Sequence, residues 1–172
     1  VKPEGLKINL GSLAKGFIID RVVDFLISEN VKSGIVNAGG DIRIFGNKKP
    51  AKIGIQHPRK EKNKTIEILY VENKAVVTSG DYERFFEIDG KRYHHILNPK
   101  TGYPVENTVS VTVIAPSTLW ADAYATALFL MEPDKAIALV NDTDNLEAII
   151  FYKDGVEIKR IESKGMGKYV IP

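Results

Sequence analysis

Short segments that alternate apolar and polar residues fill the middle of the sequence and constrain its fold most. Successive side chains of a strand point to opposite faces, so such segments predict half-buried strands. Turn residues separate them, and this spacing suits antiparallel pairing. The predicted strands are 35–37, 42–45, 51–56, 65–71, 75–78, 84–88 and 108–115.

Two hairpin signals extend this pattern. Asp89-Gly90 lies between segments 85–88 and 92–95 and predicts a tight hairpin. Near the carboxyl end, Asp154-Gly155 predicts a second hairpin, formed by strands 147–152 and 156–161, with a short last strand after it.

Helical patterns flank the strands. Apolar residues recur at helical spacing between positions 11 and 30, namely Leu13, Phe17, Ile18, Val22, Phe25 and Leu26. A second helix is predicted from Ser117 or Thr118, as its cap, to about Met131, and a shorter one follows over 134–141. Strands grouped between helices predict an α+β fold, with a mostly antiparallel sheet packed on two long helices. The length of 172 residues suits a single domain, 1–172.

Composition excludes several classes of protein. The 24 basic and 22 acidic residues are spread along the chain, which argues against nucleic acid as a partner. The basic run Arg59–Lys64 predicts a solvated turn. No cysteine is present, so disulfides, thiolate sites and a lipid-anchoring cysteine are excluded. No apolar run is long enough to span a bilayer. The chain begins at Val1 with no signal-like segment, and we therefore expect processing or truncation there.

One predicted helix carries a single charged residue. Within 119–131 this residue is Asp122, and Thr126 lies four positions later on the same face. A buried carboxylate needs a partner, and a hard cation bound by carboxylate and hydroxyl oxygens would be one. A salt bridge to Arg or Lys, or the capping of a neighbouring loop, explains Asp122 equally well. The spacing leaves both interpretations open.

Three glycine-containing segments are weaker candidates. Segment 9–16 enters the first helix with Lys15 in its first turn, where N–H groups attract anions. An ordinary surface lysine is the favoured interpretation of Lys15 alone. Segments 37–41 and 78–81 are interpreted as turns, because neither has the spacing of a phosphate loop or a dinucleotide fingerprint.

His94 and His95 are adjacent on a predicted strand. Their rings should face opposite sides, so at most one addresses a given pocket. Such a histidine is a candidate general base. A structural, hydrogen-bonded histidine is the favoured interpretation from these residues alone.

Five segments, taken in order, resemble the ApbE family of FAD:protein FMN transferases. They are NLGSLAKGF (9–17), VNAGGDI (36–42), TSGDYERFF (78–86), YHHILNPKTG (93–102) and ADAYATAL (121–128). The ordered set is specific, although no single segment would suffice. The resemblance implies a T-fold-like α+β architecture.

The resemblance also implies site residues. The positions that match the family's Mg²⁺ ligands are the backbone carbonyl of Ser12 and the side chains of Asp122 and Thr126. The positions that match residues beside FAD are Asn9, Lys15, His95 and Ile96. His95, or less favourably Asp81, would then deprotonate the incoming hydroxyl. Asn9 and Asn98 depart from the family, which frequently has aspartate at both positions.

The implied reaction moves FMN from FAD to a threonine hydroxyl of a target protein and releases AMP. Typical targets are flavin-carrying subunits of membrane redox complexes, and relatives are commonly exported, which suggests an extracytoplasmic location. This chain matches only the carboxyl-terminal half of family members. We therefore expect the missing half or a homodimer partner to complete the site. The alternatives are an FAD-binding or scaffold domain without transfer activity, and a Mg²⁺-dependent FAD pyrophosphatase.

Overall fold

The computed structural model describes residue 5 and residues 10–46, 48–59 and 64–170, apart from the side chain of Lys91. The helices are α1 (Ala14–Ser28), α2 (Thr118–Phe129), α3 (Pro133–Asn141) and α4 (Gly167–Val170). The strands are β1 (Gly34–Ala38), β2 (Asp41–Phe45), β3 (Ala51–Gln56), β4 (Thr65–Val71), β5 (Ala75–Gly80), β6 (Phe85–Ile88), β7 (Lys91–His94), β8 (Thr108–Ala115), β9 (Glu147–Asp154) and β10 (Glu157–Glu162).

Antiparallel pairing dominates the structure. Six strands form one sheet in the order β1-β2-β5-β8-β9-β10, and every neighbouring pair is antiparallel. The hairpins β3–β4 and β6–β7 form two smaller sheets. This arrangement, with helices beside an antiparallel sheet, confirms the predicted α+β fold class.

Both faces of the large sheet are covered. On one face, β5, β8 and β9 pack against α2 and α3 in one apolar cluster. On the other face, the β3–β4 hairpin and α4 pack in a second cluster. Every residue of β8 is buried, as expected for a strand between two layers. No helix in the described part of the chain is long and apolar enough to cross a membrane.

Most element boundaries agree with those predicted from the sequence. Strands β3, β4 and β8 have the predicted ends, and Ser117 caps α2 by accepting a hydrogen bond from the Trp120 N–H at 3.3 Å. Asp89 and Gly90 adopt φ of 50° and 75°, so they form the predicted tight turn between β6 and β7.

Two predictions for the carboxyl end are wrong. Asp154 belongs to β9 and pairs with Glu157, so Gly155 and Val156 form the turn. The predicted last strand is instead the short helix α4. Met166 and Tyr169 are both buried, and residues three apart share a face in a helix but not in a strand.

The amino-terminal ends of α1 and α2 meet. The Gly16 N–H donates to Asp122 Oδ2 at 3.0 Å. In return, the Asp20 carboxylate accepts hydrogen bonds from the N–H groups of Thr118 and Leu119 at 2.8 and 2.9 Å. Each helix therefore satisfies free N–H groups of the other, and this contact positions the site described next.

Candidate active site

A cavity of about 680 Å³ lies beside the junction of α1 and α2. Six of the seven predicted site residues line it, namely Ser12, Lys15, His95, Ile96, Asp122 and Thr126. The seventh, Asn9, lies outside the described residues. Residues that are far apart in sequence thus share one cavity.

Asp122 is 6% exposed and lies in the second turn of α2. Burial raises the pKa of its carboxyl group, while the hydrogen bond from Gly16 and the charge of Lys15 lower it. One oxygen is engaged with the start of α1, which matches the capping interpretation. The residue also lines the cavity, so this structural role is combined with access to a ligand.

The oxygen donors of the cavity fit a hard cation. The Thr126 side chain and Ser12 line it together with Asp122. Within the described residues, no group of three or more His, Cys, Asp and Glu side chains is arranged to hold a metal. A cation here would therefore have few protein carboxylates.

Lys15 pairs with a buried acid that the sequence did not single out. Its Nζ lies 3.0 Å from Asp41 Oδ1, and the Asp41 side chain is 1% exposed. Burial raises the pKa of Asp41 to about 6, although Lys15 opposes this shift. Lys15 is therefore not an ordinary surface lysine. The signal in the sequence that could have identified this acid is the position of Asp41 directly after the two glycines of the VNAGGDI segment.

The two histidines face different cavities, as predicted. His94 is buried, and its Nδ1 accepts a hydrogen bond from the Ile96 N–H at 3.3 Å. The His94 proton is therefore on Nε2, which donates to the Val105 carbonyl at 2.8 Å. His95 is exposed and lines the large cavity. Its Nδ1 lies 3.4 Å from the Arg84 carbonyl oxygen.

Asp81 is not placed to act as a base in this cavity. Its buried carboxylate accepts hydrogen bonds from Arg59 at 2.7 and 2.5 Å, and Arg92 lies at 3.5 Å. It lines a separate cavity of about 460 Å³ beside His94. The prediction for Asp81 is therefore wrong. Arg59, predicted to be solvated, is instead an ion-pair partner, and residues 60–63 lie outside the described residues.

The glycine-containing segments also contribute to the large cavity. Gly39 and Gly40 form the turn between β1 and β2 with φ of 63° and 99°, which explains the need for glycine there. Gly39 lines the cavity. Residues 78–80 belong to β5 rather than to a turn, and they line it as well. The interpretation of both segments as turns without a ligand role is therefore incomplete.

Comparisons with known proteins agree with this arrangement. The ApbE family profile matches residues 1–150. The FAD:protein FMN transferase of Klebsiella pneumoniae (strain 342) is 40% identical over 151 residues, which cover 87% of this chain and 47% of that protein. The FAD:protein FMN transferase of Treponema pallidum (strain Nichols) is 38% identical over 162 residues, with coverage of 87% and 45%.

A solved structure shows the same fold. The ApbE protein of Thermotoga maritima MSB8 superposes with a TM-score of 0.86 at 40% identity, covering 98% of this chain and 55% of that one. The chain spans about half the length of the curated relatives it matches. By its sequence, its fold and the residues gathered in its cavity, the chain belongs to the ApbE family.

Proposed function

We propose that this chain binds the nucleotide and the cation in a Mg²⁺-dependent FAD:protein FMN transferase. The relatives named above are FAD:protein FMN transferases. The observation that supports the proposal best is that residues from Ser12 to Thr126 meet in one cavity. The acceptor would be a threonine of a flavin-carrying subunit of a membrane redox complex.

The proposed reaction breaks the diphosphate bond of FAD. The threonine Oγ of the acceptor forms a bond to the phosphorus of the FMN half. The bond from that phosphorus to the bridging oxygen breaks, and AMP leaves with this oxygen. The hydroxyl proton of the acceptor passes to a base of the protein. The products are FMN in phosphoester linkage to threonine, and AMP.

His95 is the base that we assign. A neutral imidazole with its proton on Nδ1 places that proton toward the Arg84 carbonyl, which can only accept. The lone pair of Nε2 is then free to take the proton of the acceptor hydroxyl. Ile96, which is 6% exposed, supplies an apolar part of the cavity wall beside His95.

Lys15 and the bound cation would offset the negative charge of the diphosphate. Lys15 lies in the first turn of α1, where free N–H groups and the helix dipole also favour an anion. The Asp122 carboxylate, the Thr126 hydroxyl and the Ser12 carbonyl would hold Mg²⁺. When bound, Mg²⁺ offsets the negative charge that builds up during phosphoryl transfer.

The site would be built from one domain of this chain together with contacts from elsewhere. Residues 1–172 would form a single domain. Because the chain spans about half the length of its relatives, we propose that further contacts to FAD come from another segment or from a second copy. If the chain alone is inactive, the transfer assay can be repeated with a longer form of the protein.

The test is incubation with FAD, Mg²⁺ and a threonine-containing acceptor peptide. Covalent flavin on the peptide, detected by mass spectrometry together with AMP, would support the proposal. Free FMN and AMP would indicate FAD hydrolysis. FAD that is bound but unchanged would indicate a binding domain without transfer activity, and either result would contradict transfer by this chain.

The structure also indicates which variants are informative. Asp122→Asn keeps an oxygen that can accept from Gly16 but removes the carboxylate charge. Asp20→Asn is the control, because it also replaces a carboxylate that accepts from helix N–H groups, and Asp20 lies outside the cavity lining. We expect Asp122→Asn to abolish Mg²⁺-dependent transfer and Asp20→Asn to retain it. Equal activity of the two variants would contradict the metal role of Asp122.

A further inference from the structure

Asp41 is a buried acid in the cavity to which the proposed reaction gives no task. It begins β2 directly after the Gly39-Gly40 turn and is 1% exposed. Its Oδ1 accepts from Lys15, while its Oδ2 is buried without a hydrogen-bond partner among the described residues. Burying a carboxylate in this way is costly, so Asp41 needs an explanation beyond local structure.

The turn itself does not require this acid. Gly39 and Gly40 supply the backbone conformation, and the Gly40 N–H donates to Asn37 Oδ1 at 3.0 Å. No hydrogen bond from the turn to the Asp41 carboxylate is present among the described residues. The partner that the Asp41 side chain does have is Lys15.

Lys15 needs an anionic neighbour. A cation in the first turn of a helix is unfavourable, because the amino-terminal end of the helix is already positive. Its side chain is 47% exposed, so the ammonium group is only partly enclosed by Asp41. An ammonium group has three N–H donors, and those not used by Asp41 remain for a ligand in the cavity.

Two carboxylates compete for this lysine. Lys15 lowers the pKa of Asp41 and also that of Asp122, so it lies within electrostatic range of both. It directly precedes Gly16, whose N–H binds Asp122. Without Asp41, the acids that remain in the cavity lining are Asp122 and Glu83, and the charge of Lys15 acts on Asp122. An ion pair between them would neutralise the carboxylate assigned to the cation.

We propose that Asp41 is a positioning residue that holds the Lys15 ammonium at one wall of the cavity, away from Asp122. Lys15 then stays available to a diphosphate, and Asp122 stays available to a cation. The inference rests on the proposed function, since it explains how one site keeps a lysine and a cation-binding carboxylate apart. Asp41 acts through Lys15 and is assigned no contact with the reacting atoms.

A double-mutant cycle on cation binding tests this. The variants are Asp41→Asn, which keeps the size of the side chain, Lys15→Met, which keeps its length, and the double variant. The probe is Mn²⁺ alone, with unbound Mn²⁺ measured by electron paramagnetic resonance in the absence of FAD. We expect Asp41→Asn to weaken Mn²⁺ binding by about fivefold or more, the factor that corresponds to an ordinary exposed ion pair. The double variant should bind Mn²⁺ as Lys15→Met does.

Two outcomes of the cycle would overturn the proposal. One is unchanged Mn²⁺ affinity in Asp41→Asn, and the other is an equal loss of affinity when Lys15 is already methionine. A crystal structure of metal-free Asp41→Asn gives a second readout, with Lys15 Nζ expected within ion-pair distance of Asp122. An ammonium that stays beside position 41 would also overturn the proposal. This readout decides the point even where the wild type binds Mn²⁺ too weakly to measure.

Neither readout depends on flavin transfer, so the two proposals can fail separately. If the Mn²⁺ affinities of the variants are as expected but the protein transfers no FMN, only the proposed function is contradicted. Active transferase with an unmoved Lys15 and unchanged Mn²⁺ affinity would contradict only the positioning role of Asp41.

Discussion

Gly16 lies against Asp122 so closely that a side chain on Gly16 would collide with it. The Gly16 N–H donates to Asp122 Oδ2 at 3.0 Å, and a Cβ on Gly16 would lie 2.9 Å from Asp122 Cβ. The same Cβ would lie 2.4 Å from the Thr118 carbonyl oxygen. Asp122 is therefore held by the contact that joins α1 to α2, and the stability of the fold and the orientation of this carboxylate depend on one interface.

Gly16→Ala should consequently be destabilising. The Thr118 carbonyl is backbone and cannot rotate away, so the helices must separate. We expect a loss of about 1–3 kcal/mol in the free energy of unfolding, measured by urea denaturation. Gly167→Ala is the matched control, because a Cβ there meets nothing within 4 Å. Equal stability of the two variants would show that the interface tolerates the methyl group.

Asp20→Ala tests the reciprocal contact. It removes the acceptor for the N–H groups of Thr118 and Leu119, and losing a helix cap costs about 0.5–2 kcal/mol. Asp24→Ala, on the same helix, removes an exposed pair with Arg21 and should change stability by less than about 0.5 kcal/mol. The comparison is made by urea denaturation at constant pH. A smaller loss for Asp20 than for Asp24 would contradict the capping role.

The spacing of apolar residues predicted α1 but not the face by which it packs. Phe17, Ile18 and Phe25 contributed to the helical pattern, yet they are 52%, 60% and 62% exposed. The buried positions include Gly16 and Ile19 instead. At Gly16 the reason is steric, because the close approach to α2 leaves no room for a side chain there. A pattern of large apolar residues does not reveal such a contact.

The residues that line the large cavity could be predicted where the local sequence carried a family pattern. Asp122 on its apolar helix left two interpretations open, and the resemblance favoured the one with a cation. Asp41 and Asp81 each follow a glycine in a polar segment, and only Asp81 was considered as a candidate base. Long-range partners separate them in the structure, since Asp41 meets Lys15 and Asp81 meets Arg59. Ion pairs between distant segments leave no local signature.

Arg59→Met should destabilise the protein although Arg59 belongs to the basic run predicted to be solvated. Removing its guanidinium leaves the buried Asp81 carboxylate with Arg92 at 3.5 Å. Removing one partner from a buried pair costs roughly 3–5 kcal/mol, and the partial exposure of Arg59 reduces this to about 2 kcal/mol. Arg21→Met removes an exposed arginine and is the control. Thermal and urea unfolding that are the same for both variants would contradict the structural role of Arg59.

Substitution of the adjacent histidines should separate stability from activity. His94→Ala removes the hydrogen bond to Val105 and an edge contact with Phe129, so we expect a loss of roughly 2–4 kcal/mol. His95→Ala should change the free energy of unfolding by less than about 0.5 kcal/mol, because the side chain is exposed. It should instead lower the rate of FMN transfer by about 10²–10⁴-fold. The opposite assignment of the two effects would show that the roles of the histidines are reversed.

The pKa of Asp41 predicts a pH dependence of stability with a definite sign. Burial raises this pKa from 3.8 to about 6, so the folded protein holds the proton more tightly than the unfolded chain. Between these pH values the contribution of Asp41 to stability must fall as pH rises, and it is constant above and below them. Lys15, Asp122 and Glu83 face the same group but are present in both wild type and Asp41→Asn. The difference in their free energies of unfolding therefore isolates the titration of Asp41. Measured by urea denaturation across this range, it should shift in favour of Asp41→Asn by at most about 3 kcal/mol as pH rises. A flat difference, or one of opposite slope, would show that Asp41 is ionised as readily in the folded protein as in the unfolded chain.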